Sequence, residues 1–420
     1  MSILSSINKF FFPFYKSKNI KEIFRILNSN SEKNQAMFVG GCVRKHLQNQ
    51  KIGDIDVATI LTPDEVIKKF EKTKVEVKKT GIEHGTLTLV LEKDRIEITT
   101  LRKDISTDGR HAKISFTDSW EEDSKRRDFT INSIYLDSNG KIFDPHSGVA
   151  DLNSKKVKFI GRPDERIKED YLRILRFIRF SIEYSDFDFD KETLKSIKIN
   201  LDGIVKLSKE RIYDELCKIL KLKNFEKIYK NEILFDIFKL IFPEFKYIDR
   251  IKNLSLIRKL KYQKLNNNII LALLLIDETN NHEYFSHKYN ISNETKDFLD
   301  FSARYLKQVN KDKDFFNKNL KKNIFYNSKN KIESLFLLHK LTKKKFNYKE
   351  IDSMVNQIKN ISIPKFPVTG NYLLSKGIKN GKKIGLLLKQ IEKKWIDKNF
   401  SVSDKEITSR LKKNILIKYI

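Results

Sequence analysis

Two short motifs near the start of the chain have residue types and spacing suited to the transfer of a phosphorylated group. Gly40 and Gly41 stand between a predicted strand and a predicted helix, where backbone N–H groups can approach an anion. Asp54 and Asp56 follow in residues 52–59, a segment that alternates like a strand and so puts both carboxylates on one face. Two such carboxylates can converge on divalent cations. Together the motifs indicate nucleotidyl transfer.

Magnesium is the cation that this pattern favours, because it prefers oxygen ligands and shares itself between one or two carboxylates and substrate phosphates. Glu97 lies on the polar face of the alternating segment 95–99 and could supply a third carboxylate. An ion pair between Glu97 and Arg95 or Lys93 fits the same spacing. Alone, an Asp-x-Asp segment is more often a solvated strand edge, so the prediction depends on the order of the motifs.

A pair of arginines, Arg126 and Arg127, comes directly before Asp128 in a segment that ends at Asn132. Arginine suits a triphosphate because its planar fork makes bidentate, charge-assisted hydrogen bonds, and Asp or Asn suits ribose hydroxyls. A capped helix that begins with a solvated basic turn would look similar. The segment is therefore a candidate nucleotide site with a structural alternative.

A second arginine-rich segment covers residues 162–180. On one continuous helix, Arg166, Asp170 and Arg173 would be spaced i, i+4 and i+7 and would share a charged face. A surface ladder of ion pairs is one interpretation of such a face. The other is a base reader, in which the carboxylate accepts from an exocyclic amine and the arginine donates to ring acceptors.

The composition favours a polyanionic partner. The 420 residues carry a formal net charge of +29, which indicates nucleic acid or an anionic membrane surface. Lysine is abundant along the whole chain, so the arginines, most of which precede residue 212, are the better guide. Two cysteines are too few for a disulfide framework and favour a cytoplasmic protein. The apolar run 269–276 is shorter than the roughly 20 residues needed to cross a bilayer, so we expect no membrane association.

The pattern of elements predicts an α+β protein. Residues 36–143 alternate short strands and helices, whereas apolar residues from Pro163 onward recur with helical spacing. We predict four domains along the chain. They are an N-terminal mixed α/β head (1–147), a helical neck (148–240), a helical body (241–345) and a helical tail (346–420).

Several motifs, in this order, closely resemble those of the class II CCA-adding tRNA nucleotidyltransferases, in particular the bacterial members without an HD domain. The resemblance is carried by Glu97–Arg102, Asp108–Ala112, Arg126–Asn132, Glu169–Arg173 and Phe366–Gly370. It implies a head built like the palm of polymerase β, a neck that selects the base, and body and tail helices that hold the tRNA acceptor arm.

The resemblance also implies roles for individual residues. Asp54 and Asp56 would bind Mg²⁺, with Glu97 as the third catalytic acid. Asp108, Gly109 and Arg110 would belong to a flexible loop used in changing from C to A addition. The nucleotide would be bound by Gly40, Gly41, Arg44, Arg126, Asp128, Asn132, Asp170, Arg173, Arg176 and Arg179.

The implied activity is template-independent addition of CCA to the 3′ end of tRNA from CTP and ATP, with release of pyrophosphate and two-metal catalysis. Mg²⁺ is then the cofactor, tRNA is the partner, and no obligate protein partner is evident. Two alternatives remain on the same scaffold. One is a sister activity, namely a poly(A) polymerase or an enzyme that adds only CC or only A, and the other is a non-catalytic RNA-binding protein.

Overall fold

The computed structural model describes residues 13–31, 33–106, 113–254, 266–277, 279–343, 347–376 and 381–401. The chain divides into two compact units, Met1–Phe242 and Pro243–Ile420. The division into four domains remains a prediction. The loop residues Asp108, Gly109 and Arg110 lie outside the described residues.

The first unit contains a seven-stranded mixed sheet. Its strands are β1 Ala36–Val39, β2 Ile55–Thr59, β3 Glu76–Gly81, β4 Thr86–Leu91, β5 Asp94–Thr100, β8 Tyr135–Leu136 and β9 Ile142–Phe143. Their spatial order is β3-β4-β5-β2-β1-β8-β9, and only the β2–β5 pair is parallel. A separate hairpin joins β6 Arg102–Ser106 to β7 Lys113–Phe116. The predicted mixed α/β head is confirmed.

Alternating burial explains why these segments form strands. In β4, Leu87 and Leu89 are buried while Thr86 and Thr88 are half-buried, and the buried Ile96 and Ile98 repeat the alternation in β5. Such alternation lets one face of the sheet exclude water while the other stays accessible. The accessible positions of β5 include Glu97.

Helices make up most of the rest of the first unit. They are α1 Lys18–Leu27, α2 Gly41–Leu47, α3 Pro63–Phe70, α4 Trp120–Arg126, α5 Gly148–Asn153, α6 Pro163–Glu169, α7 Leu172–Tyr184, α8 Lys191–Ile199, α9 Lys209–Leu220 and α10 Glu232–Ile241. The helical content after the head agrees with the α+β prediction. Helix α3 begins with a capping box between Thr62 and Glu65, which the sequence Thr-Pro-Asp-Glu encodes locally.

The continuous helix considered for the arginine-rich segment 162–180 does not form. Asp170 has an extended backbone (φ −155°, ψ 105°) that ends α6, and α7 starts two residues later. The Asp170 carboxylate accepts a hydrogen bond from the backbone N–H of Leu172 at 3.2 Å. Asp170 therefore forms a tight turn between the two helices, because a short acidic side chain competes for backbone donors. The i, i+4, i+7 charged face does not form.

The described part of the second unit is helical. Its helices are α11 Asn267–Leu275, α12 Asn281–Lys288, α13 Asn293–Lys311, α14 Leu320–Asn327, α15 Lys329–Leu341, α16 Tyr348–Asn360, α17 Gly370–Ser375 and α18 Lys382–Asp397. Residues 269–275 of α11 are buried on every side, so this helix is the centre of the unit. Among the described residues, no helix is both long and apolar enough to cross a membrane.

Candidate active site

Three carboxylates meet at the end of the parallel strand pair. Asp56 of β2 stands opposite Glu97 of β5 in the sheet register, and Asp54 lies one residue before β2. Asp56 is half-buried, whereas Asp54 and Glu97 are exposed. Burial, and then the negative charges of Glu97 and Asp54, raise the pKa of Asp56 above its usual value. The three predicted acids therefore act on one another.

The glycine turn lies against these carboxylates. Gly40 follows β1 and precedes α2 with φ +73° and ψ −126°, a conformation that side chains disfavour. A Cβ atom built at Gly40 would lie 3.8 Å from Oδ2 of Asp56, while one at Gly41 would have no heavy atom within 4 Å. The turn and the Asp-x-Asp segment, 14 to 16 residues apart in the chain, are thus neighbours in the fold.

The carboxylates have the chemistry of a magnesium site. Within the described ranges, no group of three or more His, Cys, Asp or Glu side chains is arranged to hold a metal ion. Mg²⁺ does not require such a group, because one or two carboxylates and the phosphates of a substrate can bind it. A cation would also relieve the repulsion from Glu97 and Asp54 that raises the pKa of Asp56. The oxygen donors of Asp54 and Asp56 therefore fit this metal.

Arg126 and Arg127 share one buried carboxylate that sequence analysis missed. Asp123 of α4 accepts from Nε and Nη2 of Arg126 at 2.8 and 2.6 Å, and from Nε and Nη2 of Arg127 at 3.1 and 2.9 Å. The hydroxyl of Tyr135 donates to Asp123 at 2.7 Å. The two arginines outweigh burial and lower the pKa of Asp123 to about 2. The i, i+3 and i, i+4 spacing of Asp123 to the arginines was the available signal.

Asp128 connects the head segment to helix α7. One of its oxygens accepts from the amide of Asn132 at 2.6 Å and from the backbone N–H of Phe129 at 2.9 Å. The other accepts from Nε of Arg176 at 2.6 Å. The Arg176 charge and these hydrogen bonds outweigh burial and lower the pKa of Asp128. Three residues predicted to bind nucleotide are thus joined in one network.

Arg44 belongs to the same network and is buried. Its Nη1 donates to the side-chain oxygen of Asn132, and its guanidinium lies 5.1 and 5.3 Å from the ring centroids of Phe180 and Tyr184. Arg44 is only 7% exposed. In this structure it therefore contacts protein groups of α7, and its expected place along a triphosphate remains a prediction.

Two arginines of the α6–α7 segment hold the backbone of the arginine pair. Nη2 of Arg166 donates to the carbonyl oxygens of Arg126 and Arg127 at 2.8 and 2.9 Å, and Nη2 of Arg173 reaches the first of these at 3.3 Å. Glu169 accepts from Nη1 of both Arg166 and Arg173, at 2.5 and 2.6 Å. These contacts fix α6 and α7 against the C-terminal end of α4 and the residue that follows it.

Asp170, the predicted base reader, lies beside another arginine that sequence analysis missed. Oδ2 of Asp170 accepts from Nη2 of Arg211 in α9 at 2.8 Å. Both side chains are about one-quarter exposed, at 25% and 28%, so they remain accessible to a ligand. Asp170 and Arg173 are adjacent in the fold, since the Arg173 N–H donates to the Asp170 carbonyl at 3.0 Å. No local pattern connects Arg211 to Asp170.

Arg179 of α7 forms an ion pair with a buried glutamate of α9. Its Nε donates to Oε1 of Glu215 in α9 at 2.5 Å, and its guanidinium lies 4.1 Å from the centroid of Phe180. Glu215 is 1% exposed, and Arg179 together with Arg176 lowers its pKa against the effect of burial. Arg179 therefore helps to hold α7 against α9, and its predicted contact with nucleotide stays a prediction.

Comparison with known protein families defines the class of enzyme to which this protein belongs. Residues 36–158 match the family model described as "Poly A polymerase head domain", and residues 186–248 match "Probable RNA and SrmB- binding site of polymerase A". The mixed sheet, the carboxylate cluster and the head-domain match together define a nucleotidyltransferase.

The relatives then identify the family. The chain is 33% identical over 408 residues to the mitochondrial CCA tRNA nucleotidyltransferase 1 of Homo sapiens, which covers 94% of this chain and 89% of that protein. It is 37% identical over 253 residues, 59% of each chain, to the CCA-adding enzyme of Staphylococcus haemolyticus. The protein belongs to the family of class II CCA-adding enzymes, the CCA tRNA nucleotidyltransferases, as its motifs indicated.

A solved structure shares the fold. The CCA-adding enzyme of Bacillus stearothermophilus, crystallised in complex with CTP, aligns over 95% of this chain and 97% of its own with a TM-score of 0.73 and 21% identity. This similarity confirms the α+β fold along both units. The assignment of individual site residues rests on the geometry given above.

Proposed function

We propose that this protein adds C, C and A in turn to the 3′ end of tRNA, using CTP and ATP and releasing pyrophosphate without a nucleic-acid template. The register of Asp56 against Glu97, with Asp54 beside them and the Gly40 turn in contact, carries the chemical part of this proposal. The relatives named CCA tRNA nucleotidyltransferases support the choice of substrates.

Asp54 and Asp56 would hold Mg²⁺, with Glu97 as the third acid. When bound, the metal supplies charge neutralisation at the leaving pyrophosphate and lowers the pKa of the attacking 3′ hydroxyl. The protein contributes positioning. The backbone of the Gly40 turn and the guanidinium of Arg126 would orient the triphosphate for in-line attack on its α-phosphate.

Asp128 and Asn132 would orient the ribose. Their mutual hydrogen bond and the contact of Asp128 with Arg176 keep both side chains in one conformation before substrate binds. Asp170 and Arg173 would select the base by their donor and acceptor pattern. UTP and GTP present the opposite pattern and would leave buried groups unpaired, at about 1–3 kcal/mol for each group.

The tRNA would be held mainly through its backbone. The net charge of +29 favours phosphate contacts, and residues 186–248 match a probable RNA-binding segment. Binding of this kind weakens steeply with salt because counterions are released. The presence of only two cysteines, Cys42 and Cys217, favours the cytoplasm, and the mitochondrial relatives make the mitochondrial matrix the alternative.

The test is extension of a tRNA that ends at its discriminator base, with Mg²⁺, CTP and ATP, resolved at single-nucleotide resolution. Three added nucleotides, lost with EDTA and in the Asp54→Ala, Asp56→Ala double variant, are the expected result. A stop after two nucleotides, a single A added only to CC-ended tRNA, or a long A ladder would assign a sister activity instead. Binding without extension would assign a non-catalytic RNA-binding protein.

A further inference from the structure

The carboxylate of Asp123 holds two adjacent arginines in the same way. Arg126 binds one of its oxygens and Arg127 the other, and each arginine uses its Nε–Nη2 edge. Asp123 is 0% exposed, so neither contact competes with water at the carboxylate. Both guanidinium planes are therefore held by a buried, charge-assisted anchor.

The remaining donors of the arginine pair are available to a ligand. Among the described residues, Nη1 of Arg126 and Nη1 of Arg127 have no hydrogen-bond partner, and the two side chains are 17% and 18% exposed. One carboxylate between two guanidinium groups leaves a net positive charge. Guanidinium groups that are fixed along one edge and open along the other are preorganised to bind phosphate oxygens.

Tyr135 places this cluster at the glycine turn. Its hydroxyl donates to Asp123 at 2.7 Å and accepts from Nε of Arg127 at 3.0 Å. In the sheet, Tyr135 of β8 pairs with Val39 of β1, the residue that directly precedes Gly40. A Cβ atom built at Gly40 would in turn lie 3.8 Å from Oδ2 of Asp56. The anchor therefore stands next to both the turn and the catalytic carboxylates.

We propose that Asp123 is a positioning residue, which with Tyr135 holds Arg126 and Arg127 so that their free edges receive the phosphates of the incoming CTP or ATP. This inference rests on the proposed function and extends it, because it assigns the anchor of the arginine pair and gives Arg127 a phosphate contact beside that of Arg126. Asp123 itself touches no substrate. Its effect passes entirely through the two guanidinium groups.

Steady-state extension kinetics of Asp123→Asn test the proposal. The neutral amide cannot anchor two cations, so we expect the KM for CTP and for ATP to rise about tenfold or more, the factor that one charge-assisted hydrogen bond is worth. The dissociation constant for tRNA should stay within about twofold, because the anchor faces the nucleotide and not the RNA. Tyr135→Phe removes one hydrogen bond from the same anchor and should raise both KM values about threefold.

Asp151→Asn is the matched control. Asp151 is also a buried carboxylate of the first unit, bound to Thr130 at 2.8 Å and to Lys158 at 2.7 Å. The Asp151→Asn substitution should lower thermal stability while leaving the KM for nucleotides within about twofold of that of the unmodified protein. Equal KM increases in Asp151→Asn and Asp123→Asn would reduce Asp123 to a structural role.

Other outcomes also decide the question. Unchanged nucleotide KM values in folded Asp123→Asn, or a fall in kcat alone, would overturn the proposal. If Asp123→Asn does not fold, Tyr135→Phe decides by the same KM measurement. Failure of the unmodified protein to extend tRNA would instead contradict the proposed function, so the two failures are distinguishable.

Discussion

Half-buried Arg176 and buried Asp128 form an ion pair across 48 residues of chain, with Nε of the arginine 2.6 Å from Oδ2 of the carboxylate. The pair joins helix α7 to the segment that carries the nucleotide-binding candidates of the head. Asp128 is 7% exposed, so its charge depends on this partner for solvation. A shift of α7 would therefore remove the cation that stabilises the negative charge of Asp128.

Removal of Arg176 should destabilise the first unit. In Arg176→Met the Asp128 carboxylate stays buried without its cation, and we expect the free energy of unfolding to fall by about 3 kcal/mol. Urea denaturation measures this change. The double variant with Asp128→Asn should recover part of the loss, because no buried charge remains. A double variant less stable than the sum of the single effects would contradict this account.

The glycine pair offers a matched comparison of neighbouring residues. Gly40→Ala places a Cβ on a residue with φ +73°, which should cost about 1–3 kcal/mol and distort the turn beside Asp56. Gly41→Ala lies at the start of α2 with open space around its Cβ, and should be neutral or slightly stabilising. Thermal denaturation and extension assays on both variants check this. Similar effects at the two positions would refute it.

Acid should weaken the Asp123 anchor. Its pKa is lowered from 3.8 to about 2 by the two arginines, so its contribution is complete above about pH 4 and is lost as the pH falls through the folded-state value. The stability gap between the unmodified protein and Asp123→Asn should therefore narrow by about 2 kcal/mol in total as the pH falls toward 2. Urea titrations at steps below pH 5 measure it. A gap that widens with acid would contradict the assignment.

Loss of one of the proposed catalytic carboxylates should remove activity but not tRNA binding. In Asp56→Asn, charge stabilisation worth several kcal/mol disappears, so the extension rate should fall about a thousandfold. Single-turnover extension and filter binding report the two properties separately. A matched change, Asp64→Asn, alters an exposed acid in the first turn of α3, beyond the C-terminal end of β2, and should leave the rate unchanged. Retained extension by Asp56→Asn would remove this residue from the catalytic set.

Base selection should depend on Asp170. Asp170→Ala removes an acceptor at the proposed reading edge, so UTP should be rejected less strongly, by a factor of about ten. Competition between CTP and UTP in the extension assay measures the ratio. Asp164→Ala, at the start of α6, serves as the control because it alters an acid of the same segment away from the reading edge. An unchanged ratio in Asp170→Ala would place selection elsewhere.

The local part of this site could be predicted from the sequence. Alternating residues put Asp56 and Val57 on opposite faces of β2, because side-chain direction in a strand has a period of two that the backbone imposes. The glycine before α2 and the apolar spacing of the later helices are likewise encoded within a few residues. These features were sufficient for the fold class, whereas the family resemblance came from the motifs and their order.

Only the tertiary structure decided which distant residues meet. The register that sets Asp56 opposite Glu97, the end of α6 at Asp170, and the anchor of two arginines on Asp123 have no complete local signal. Each depends on which surfaces exclude water together and on which buried charges find partners. Those conditions involve segments tens of residues apart, whereas local periodicity reports only the direction of each side chain.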